Sequence, residues 1–324
     1  MAEANELRRI EPMKARLAEL PADDEGWGFE IKWDGVRAIA HCGAQGLRLV
    51  SRTGRDITAG YPELGAITAG LGGREAVLDG EVVAFDEAGH PSFQRLQQRM
   101  HVRDDGQVRR LSREVPVTYV VFDLLGLDGE SLLALPYTER RERLEALGLD
   151  GDHWRTPAYH RGDGAALLEL TSAQGLEGVV GKRLDSVYKP GRRGRDWIKV
   201  KNTVGQEVVI GGWLPGKGRR SDTLGALLVG YWEGDELRFA GKVGTGFSDA
   251  ELRRLLKLLE PLRRELSPFA GRQPERAAIF VEPELVAEVG FAEWTDTGTM
   301  RHPVYRGLRD DRPARDVVRE LPVS

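Results

Sequence analysis

Short apolar runs enriched in β-branched and aromatic residues recur through the first two thirds of the chain and predict strands. These runs cover residues 27–31, 36–41, 47–51, 77–85, 117–124 and 178–182. Helical periodicity is found at 138–147, with Thr138 as a predicted N-cap, and at 164–174 behind Asp163. Because strands and helices are mixed irregularly, the pattern favours an α+β fold with a largely antiparallel sheet over a doubly wound fold.

The pattern changes after Lys201, where short strands separated by glycine turns begin. These predicted strands cover residues 208–214, 224–231, 237–243, 279–286 and 289–294. One amphipathic helix is predicted at 249–266, with Ser248 as its N-cap. Five short strands and one helix are typical of an OB-fold β-barrel. We therefore expect two domains, residues 1–203 and 204–324.

Composition sets the broad class of protein. The chain has 324 residues, 40% of them hydrophobic and 30% charged, which is enough for two cores. The one cysteine, Cys42, excludes an intramolecular disulfide and a multi-cysteine zinc site, and it fits a reducing cytoplasm. The apolar stretch at 117–125 is far too short to span a membrane, and the polar first residues lack a signal-peptide pattern. We expect a cytoplasmic protein with no membrane partner.

Charge predicts local rather than global contacts with nucleic acid. The net charge is -4 and the pI is about 6.0, so an anionic partner would need local basic clusters. The three clusters are Lys189 to Lys201, the loop residues Lys217, Arg219 and Arg220, and Arg301, Arg306, Arg309, Arg312 and Arg315. Such clusters are commonly solvated faces. These are interleaved with Gly, Pro, Tyr and Trp rather than with glutamate, which favours a phosphate-facing surface.

Lys32 is the strongest candidate for chemistry. The chain has nine lysines against thirty-eight arginines, and among these two cations only a deprotonated lysine amine is a practical nucleophile. Lys32 begins a Lys-x-Asp-Gly-x-Arg pattern that ends at Arg37. Glycine after aspartate predicts a tight turn that presents Lys32 from a strand end. Any single lysine is more often a solvated surface residue, so the other motifs decide the interpretation.

Three further fragments have matching chemistry. Asp79-Gly80-Glu81 and Glu177-Gly178 each place a carboxylate beside an apolar run, and residues 197–201 alternate so that Lys199 and Lys201 share one face of a strand. Each fragment alone is commonly an ordinary strand end. A lysine that attacks an α-phosphate must be neutral, and two further ammonium groups with a bound cation disfavour a third charge there. Glu81 and Glu177 suit Mg²⁺, which takes few protein oxygens.

In this order, the motifs resemble the covalent nucleotidyltransferase superfamily of ATP-dependent DNA ligases, RNA ligases and mRNA capping enzymes. The chain most resembles the ligase module of bacterial non-homologous end-joining DNA ligases, of the ligase D and ligase C type. The likeness extends from Glu11 to Val318. Its further motifs are Ser51-Arg52-Thr53-Gly54, Tyr119 to Asp123, Gly241 to Phe247, and Arg301-His302-Pro303 leading to Arg309-Asp310-Asp311-Arg312.

The resemblance implies a nucleotidyltransferase (adenylation) domain at residues 1–203 that binds ATP. Lys32 would be the adenylated nucleophile, and Lys199 and Lys201 would contact the α-phosphate. Glu30 would read the adenine amino group, and Phe122 would stack on the base.

The resemblance also assigns the metal and part of the DNA contacts. Glu177 would ligate Mg²⁺, with Mn²⁺ as the alternative metal, and Glu81 would face the ribose or the metal. Arg37 and Arg52 would lie near the ribose and the 5′-phosphate of a nick.

In the predicted OB-fold domain, Arg309 and Asp311 would orient the leaving pyrophosphate. The loop residues Lys217, Arg219 and Arg220 would bind DNA. The family's last motif is usually Arg-x-Asp-Lys, whereas this chain has Arg312 at the final place; arginine keeps the charge but changes the donor geometry.

The expected activity is sealing of nicks or breaks in duplex DNA through lysyl-AMP and adenylated DNA, in end-joining repair. We expect a monomer near the bacterial nucleoid, served by an end-binding protein or by linked polymerase or nuclease domains. The alternatives are an RNA ligase, a guanylyl-transferring capping enzyme, and a non-catalytic DNA-binding module. Neither a P-loop nor a Rossmann fingerprint is present in the sequence.

Overall fold

The computed structural model describes residues 7, 10–100, 102–202, 205–216, 223–271, 277–295 and 297–320. The chain divides into two compact units between Asn202 and Thr203. Across the described ranges, no helix combines the length and the apolar character needed to cross a bilayer.

The first unit is built mainly from strands. Its strands are β1 (Lys14–Leu17), β2 (Trp27–Ile31), β3 (Val36–Gly43), β4 (Gly46–Ser51), β5 (Ala76–Ala84), β6 (Val117–Leu127), β7 (Glu130–Ser131), β8 (Asp150–Gly151), β9 (Trp154–Arg155), β10 (His160–Arg161), β11 (Gly178–Arg183) and β12 (Arg193–Lys201). Its helices are α1 (Ile67–Gly70), α2 (Phe93–Leu96), α3 (Asp105–Glu114), α4 (Tyr137–Glu145) and α5 (Gly164–Ala173), with 3-10 turns at Thr58–Gly60 and Pro62–Ala66.

These strands form two sheets. One has the order β1-β12-β11-β2-β10, and the other has the order β4-β3-β5-β6-β9-β8, with β7 added to β6. In the described part of this unit, the β1–β12 and β6–β9 pairs are parallel and the other strand pairs are antiparallel. The predicted α+β class with largely antiparallel sheets is confirmed.

The five-stranded sheet has one face packed on a helix. Val179 of β11 and Ile198 of β12 are buried against Leu167 of α5 and Phe29 of β2. Side chains alternate along a strand, so residues one position away point to the other face. Because the apolar face packs on α5, the opposite face of β11 and β12, which bears the lysines, is the one that can hold the predicted active site.

The helix ends differ from the sequence prediction in two places. The helix predicted to be capped by Thr138 begins at Tyr137, with Pro136 at the cap position. Asp163 does precede α5, but it has a left-handed backbone and its side chain makes no cap hydrogen bond. Helix α3 was not predicted, although Asp104 caps it by accepting a hydrogen bond from the Gln107 amide.

The second unit holds the remaining elements. Its strands are β13 (Gly205–Pro215), β14 (Leu224–Glu233), β15 (Glu236–Val243), β16 (Arg263–Arg264), β17 (Phe269–Ala270), β18 (Ile279–Val281), β19 (Val286–Gly290), β20 (Glu293–Trp294), β21 (Met300–Arg301) and β22 (Val304–Arg309). Its helix is α6 (Asp249–Leu259), with 3-10 turns at Glu260–Leu262 and Ala314–Asp316.

The main sheet of this unit runs β16-β18-β13-β14-β15-β17, and β19 pairs with both β13 and β22. The predicted cap Ser248 is confirmed, since its hydroxyl accepts from the Glu251 amide. The helix ends at Leu259 rather than at residue 266 because Pro261 cannot continue it. Pairings among the described residues do not close into a barrel, so the OB-fold closure stays a prediction.

Candidate active site

The candidate nucleophile lies directly after β2, on one face of the five-stranded sheet. The backbone amide of Lys32 donates to the Gly178 carbonyl at 2.9 Å, which continues the β2–β11 pairing by one residue. Across β2, β11 and β12 this face presents the rows Gly28–Lys182–Trp197, Glu30–Val180–Lys199 and Lys32–Gly178–Lys201. The sheet thus collects the candidate lysines and Glu30 within three adjacent rows.

Glu177 joins two of these lysines. Its Oε2 is ion-paired with Lys32 Nζ, and its Oε1 lies 3.5 Å from Lys201 Nζ. The side chains of Lys32, Lys201 and Glu177 are 20%, 12% and 7% exposed. Because these side chains are largely shielded from water, the carboxylate interacts with both ammonium groups far more strongly than a carboxylate in a surface ion pair would.

Two glycines of the motifs are required by close backbone approaches. Gly178 has φ 139°, and a Cβ there would lie 2.0 Å from the Val200 carbonyl oxygen. Gly35 does not have a positive φ, but its Cβ would lie 2.2 Å from the carbonyl oxygen of Val82 in β5. Lys32 is presented from a strand end, as predicted. Glycine is needed at position 35 because the backbone approaches β5 closely there, and not because a tight turn requires a positive φ.

Glu30 lies in a cluster that the sequence prediction did not include. Its Oε1 accepts from the Lys182 ammonium at 2.8 Å and from the Tyr137 hydroxyl. Burial lowers the pKa of Lys182, and the Glu30 carboxylate opposes that effect. Burial and the same carboxylate raise the pKa of Tyr137 well above its ordinary value. The available signal was Lys182 itself, a lysine retained in an arginine-rich chain within the Glu177 motif.

Phe122 lies in β6 and is 6% exposed. Two cations approach its ring, because Arg37 Cζ and Lys182 Nζ each lie 4.5 Å from the ring centroid. Phe122 therefore connects the seven-stranded sheet to the lysine-bearing face of the five-stranded sheet. Its stacking on adenine stays a prediction.

Arg37 is held by a buried carboxylate. Its Nε and Nη2 donate to Asp79 at 2.6 and 2.7 Å, and Tyr188 donates to the same carboxylate at 2.6 Å. Burial is the largest single influence and acts to lower the pKa of Arg37, but the charge and hydrogen bonds of Asp79, together with the smaller effects of Tyr188 and Glu81, raise it overall. The predicted contacts of Arg37 with nucleotide and nick stay predictions, and they would share a guanidinium already bound to Asp79.

The other predicted residues of the first unit occupy compatible positions. Glu81 lies in β5 opposite Arg37, and its charge contributes to the raised pKa of Arg37. Arg52 follows β4 directly and is partly exposed. Among the described residues, no group of three or more His, Cys, Asp or Glu side chains forms a ready metal site. The roles of Arg52, Glu81 and Glu177 stay predictions.

In the second unit, Arg309 and Asp311 bind each other. Arg309 Nε and Nη2 each donate to Asp311 at 2.9 Å, and Nη1 donates to Glu288 at 3.1 Å. Arg312 is 5% exposed and ion-paired with Glu207. The predicted roles of Arg309 and Asp311 at pyrophosphate are not tested by this arrangement.

The predicted basic surfaces are only partly described. Lys217, Arg219 and Arg220 lie outside the described residues. In the C-terminal cluster, Arg301 donates to Glu293 at 2.7 Å, and Arg306 and Arg309 both lie near Glu288. Carboxylates of other strands, Glu293 of β20 and Glu288 of β19, pair with these arginines, and the interpretation of the cluster as a phosphate-facing surface stays a prediction.

The family follows from comparison with known proteins. The model of the ATP dependent DNA ligase domain matches residues 11–201, and that of the ATP dependent DNA ligase C terminal region matches residues 220–312. The first match alone covers more than half of the chain. The chain belongs to the family of ATP-dependent DNA ligases.

Among its relatives are end-joining proteins. The multifunctional non-homologous end joining protein LigD of Mycolicibacterium smegmatis is 45% identical over 91% of this chain, and that of Pseudomonas aeruginosa is 42% identical over 97%. The chain spans only 37% of the length of either relative. A solved mycobacterial DNA ligase D complexed with ATP and MES is 41% identical, with a TM-score of 0.68 and coverage of 96% of this chain and 98% of that one.

Proposed function

We propose that this chain is an ATP-dependent DNA ligase that seals breaks in duplex DNA through a lysyl-AMP intermediate. The observation that carries the proposal is the row Lys32–Gly178–Lys201, in which Glu177 contacts both amines. Glu30 and Lys199 occupy the adjacent row. The residues proposed as the nucleophile, the two phosphate-binding cations and the base-binding carboxylate thus belong to one sheet face.

In the first reaction, the neutral Lys32 amine attacks the α-phosphorus of ATP. A P–N bond forms, the bond from the α-phosphorus to the bridging oxygen breaks, pyrophosphate leaves, and the attacking nitrogen loses a proton. Lys199 and Lys201 stabilise the charge that builds on the α-phosphate oxygens. Glu177 holds Lys32 in place before the reaction, and its carboxylate can accept a proton from that amine.

The second and third reactions transfer AMP and close the nick. A 5′-phosphate oxygen of the DNA attacks the lysyl-AMP phosphorus, so a P–O bond forms, the P–N bond breaks and Lys32 regains a proton. The 3′-hydroxyl then attacks the 5′-phosphate, losing its proton as the phosphodiester forms and AMP leaves. Arg37 and Arg52 are proposed to contact the ribose and the nick phosphate.

Glu177 and Glu81 fit Mg²⁺, or Mn²⁺ in its place, because such a cation needs only one or two protein carboxylates when phosphates and water complete its shell. Bound there, the cation would neutralise phosphate charge. Glu177 would then be shared between the cation and the Lys32 amine, and a cation beside that amine would disfavour its charged form.

The setting is proposed to be end-joining repair, because the relatives named above are end-joining proteins. They are longer than this chain, which fits a ligase unit working with linked polymerase or nuclease domains or an end-binding protein. We propose a monomer in the bacterial cytoplasm, near the nucleoid. Arg309 and Asp311 are proposed to serve the first reaction, and Lys217, Arg219 and Arg220 to grip DNA.

The test is to incubate the protein with labelled ATP or GTP and Mg²⁺ and to measure a covalent acid-labile adduct. Lys32→Ala should form none, yet should still seal a pre-adenylated nick slowly. Lys257→Ala, which removes an exposed lysine of α6, is the matched control and should behave as wild type. A normal adduct on Lys32→Ala would refute the assignment, a GTP-only adduct would indicate a capping enzyme, and no adduct on wild type would indicate a binding module.

A further inference from the structure

Lys182 is a buried cation that the proposed chemical steps do not use. Its side chain is 1% exposed, and three aromatic rings surround the ammonium. Nζ lies 4.4 Å from the centroid of Trp197, 4.5 Å from that of Phe122 and 4.9 Å from that of Tyr137. Burying an ammonium so completely is costly unless its contacts compensate, so these contacts need an explanation.

Among the residues that the structure describes, Glu30 is the carboxylate that accepts a hydrogen bond from this ammonium. Lys182 Nζ also donates to the Phe122 carbonyl at 3.3 Å, while the rings exclude water from the remaining directions. Trp197 faces Lys182 across the β11–β12 pair. The three aromatic rings therefore hold the ammonium in place, and the ammonium in turn orients both the Glu30 carboxylate and the Phe122 carbonyl.

Glu30 receives its two donors on the same oxygen. Both Lys182 and Tyr137 donate to Oε1, and within the described ranges no donor reaches Oε2. Glu30 is two residues before Lys32 on the same strand face, roughly 7 Å along it at the usual rise. Oε2 is thus an oriented acceptor at the distance from the nucleophile at which the base of an attacked nucleotide would lie.

We propose that Lys182, together with Tyr137, is a positioning residue that fixes the Glu30 carboxylate and thereby selects adenine over guanine. The inference rests on the proposed function. The adenine amino group donates to a fixed carboxylate oxygen, whereas guanine presents an acceptor oxygen at that place and leaves both acceptors unpaired. Lys182 also holds the Phe122 carbonyl, so the same contact orders the residue expected to stack on the base.

Double variants separate this role from simple packing. If Lys182 acts through Glu30, then Lys182→Met should matter little once Glu30→Gln has removed the carboxylate. If Lys182 only fills the space between three rings, its loss should act independently and the two effects should multiply. Methionine retains much of the length and volume of lysine while removing the charge and the donors.

The experiment measures lysyl-nucleotide formation from ATP and from GTP with wild type, Lys182→Met, Glu30→Gln and the double variant. Lys182→Met should raise the KM for ATP about tenfold to a hundredfold, the usual weight of a hydrogen bond to a charged group, with a smaller change in kcat. Its ATP-over-GTP preference should fall by a similar factor. In the Glu30→Gln background the further change should stay within about twofold.

The outcomes that overturn the inference are distinct from those that overturn the ligase. An unchanged ATP-over-GTP preference in Lys182→Met, or losses that multiply in the double variant, would refute the positioning role while leaving adduct formation by wild type intact. If Lys182→Met does not fold, Tyr137→Phe replaces it, since that variant removes only the hydroxyl donor to Glu30. It should lower the same preference, and an unaltered preference would refute the pair. Absence of any adduct on wild type would refute the proposed function itself.

Discussion

The ion pair of Arg37, whose side chain is 20% exposed, with the fully buried Asp79 should contribute strongly to the stability of the first unit. Asp79 is completely buried and accepts two hydrogen bonds from Arg37 and one from Tyr188, at 2.6 to 2.7 Å. Asp79→Asn keeps the shape but removes the charge and turns an amide NH₂ toward groups that donate. Breaking a buried ion pair costs about 3–5 kcal/mol. At about 2–4 °C per kcal/mol for a unit of this size, the melting temperature should fall by roughly 6–20 °C.

Scanning calorimetry of the full chain measures this prediction, with ATP added to identify the transition that nucleotide stabilises. The matched control is Asp128→Asn, because Asp128 accepts two hydrogen bonds from Arg74 at 2.7 and 2.8 Å, as Asp79 does from Arg37. The side chains of that pair are 47% and 48% exposed, and solvent screens such pairs. The control should melt as wild type. Equal melting temperatures for Asp79→Asn and wild type would show that burial does not determine how much this ion pair contributes to the free energy of unfolding.

Four further outcomes are expected. Glu177→Gln should slow formation of the Lys32 adduct by about 10²-fold, because it removes the carboxylate proposed for the metal and for the amine, and quench-flow adduct assays would reveal a normal rate if this is wrong. Asp311→Asn should lose the fork that holds Arg309 and so impair ATP charging, while sealing of a pre-adenylated nick, measured in parallel, should persist. Cys42 should resist alkylation at pH 8 until the protein is denatured, since burial raises the pKa of its thiol to about 12; rapid native labelling would contradict this. Burial, and then the charge of Arg48, lower the pKa of His41 in the folded protein. The stability that is present above the pKa of the unfolded chain should therefore be lost as the pH falls below that value. His41→Gln should flatten the measured dependence of stability on pH between about pH 7 and 5.

Strand positions could be predicted from the sequence because the runs are short, apolar and bounded by glycine. The run at 27–31 coincides with Trp27–Ile31, and that at 178–182 differs by one residue from Gly178–Arg183. The helix predicted at 249–266 ends early, at Leu259, because Pro261 cannot continue an α-helix. Helix α3 was missed because it buries only Val108 and Leu111 and is otherwise polar.

The motifs identified candidate residues for the chemistry, but not the partners of those residues in the fold. Lys32, Lys199, Lys201 and Glu177 can be found from spacing, and the sheet register does bring Lys32 beside Gly178 and Lys201. The contact of Lys182 with Glu30 joins residues 152 positions apart, so no local pattern could reveal it. Spacing along the sequence shows which side chains share a face of one strand, whereas contacts between strands can be identified only once the fold is known.

Arg312 shows how such long-range pairing changes the meaning of a motif. The resemblance places a lysine at this position, where a flexible ammonium could extend toward phosphate. The arginine here is ion-paired with Glu207, lies 3.7 Å from Glu320 and donates to the Asp316 carbonyl at 2.9 Å. A guanidinium can serve these partners at once because its five donors are spread over a planar fork, which an ammonium cannot match. The substitution thus links β13 to the C-terminal segment of the second unit, and Arg309, whose side chain is 11% exposed against 3% for Arg312, is left as the more accessible cation of this motif.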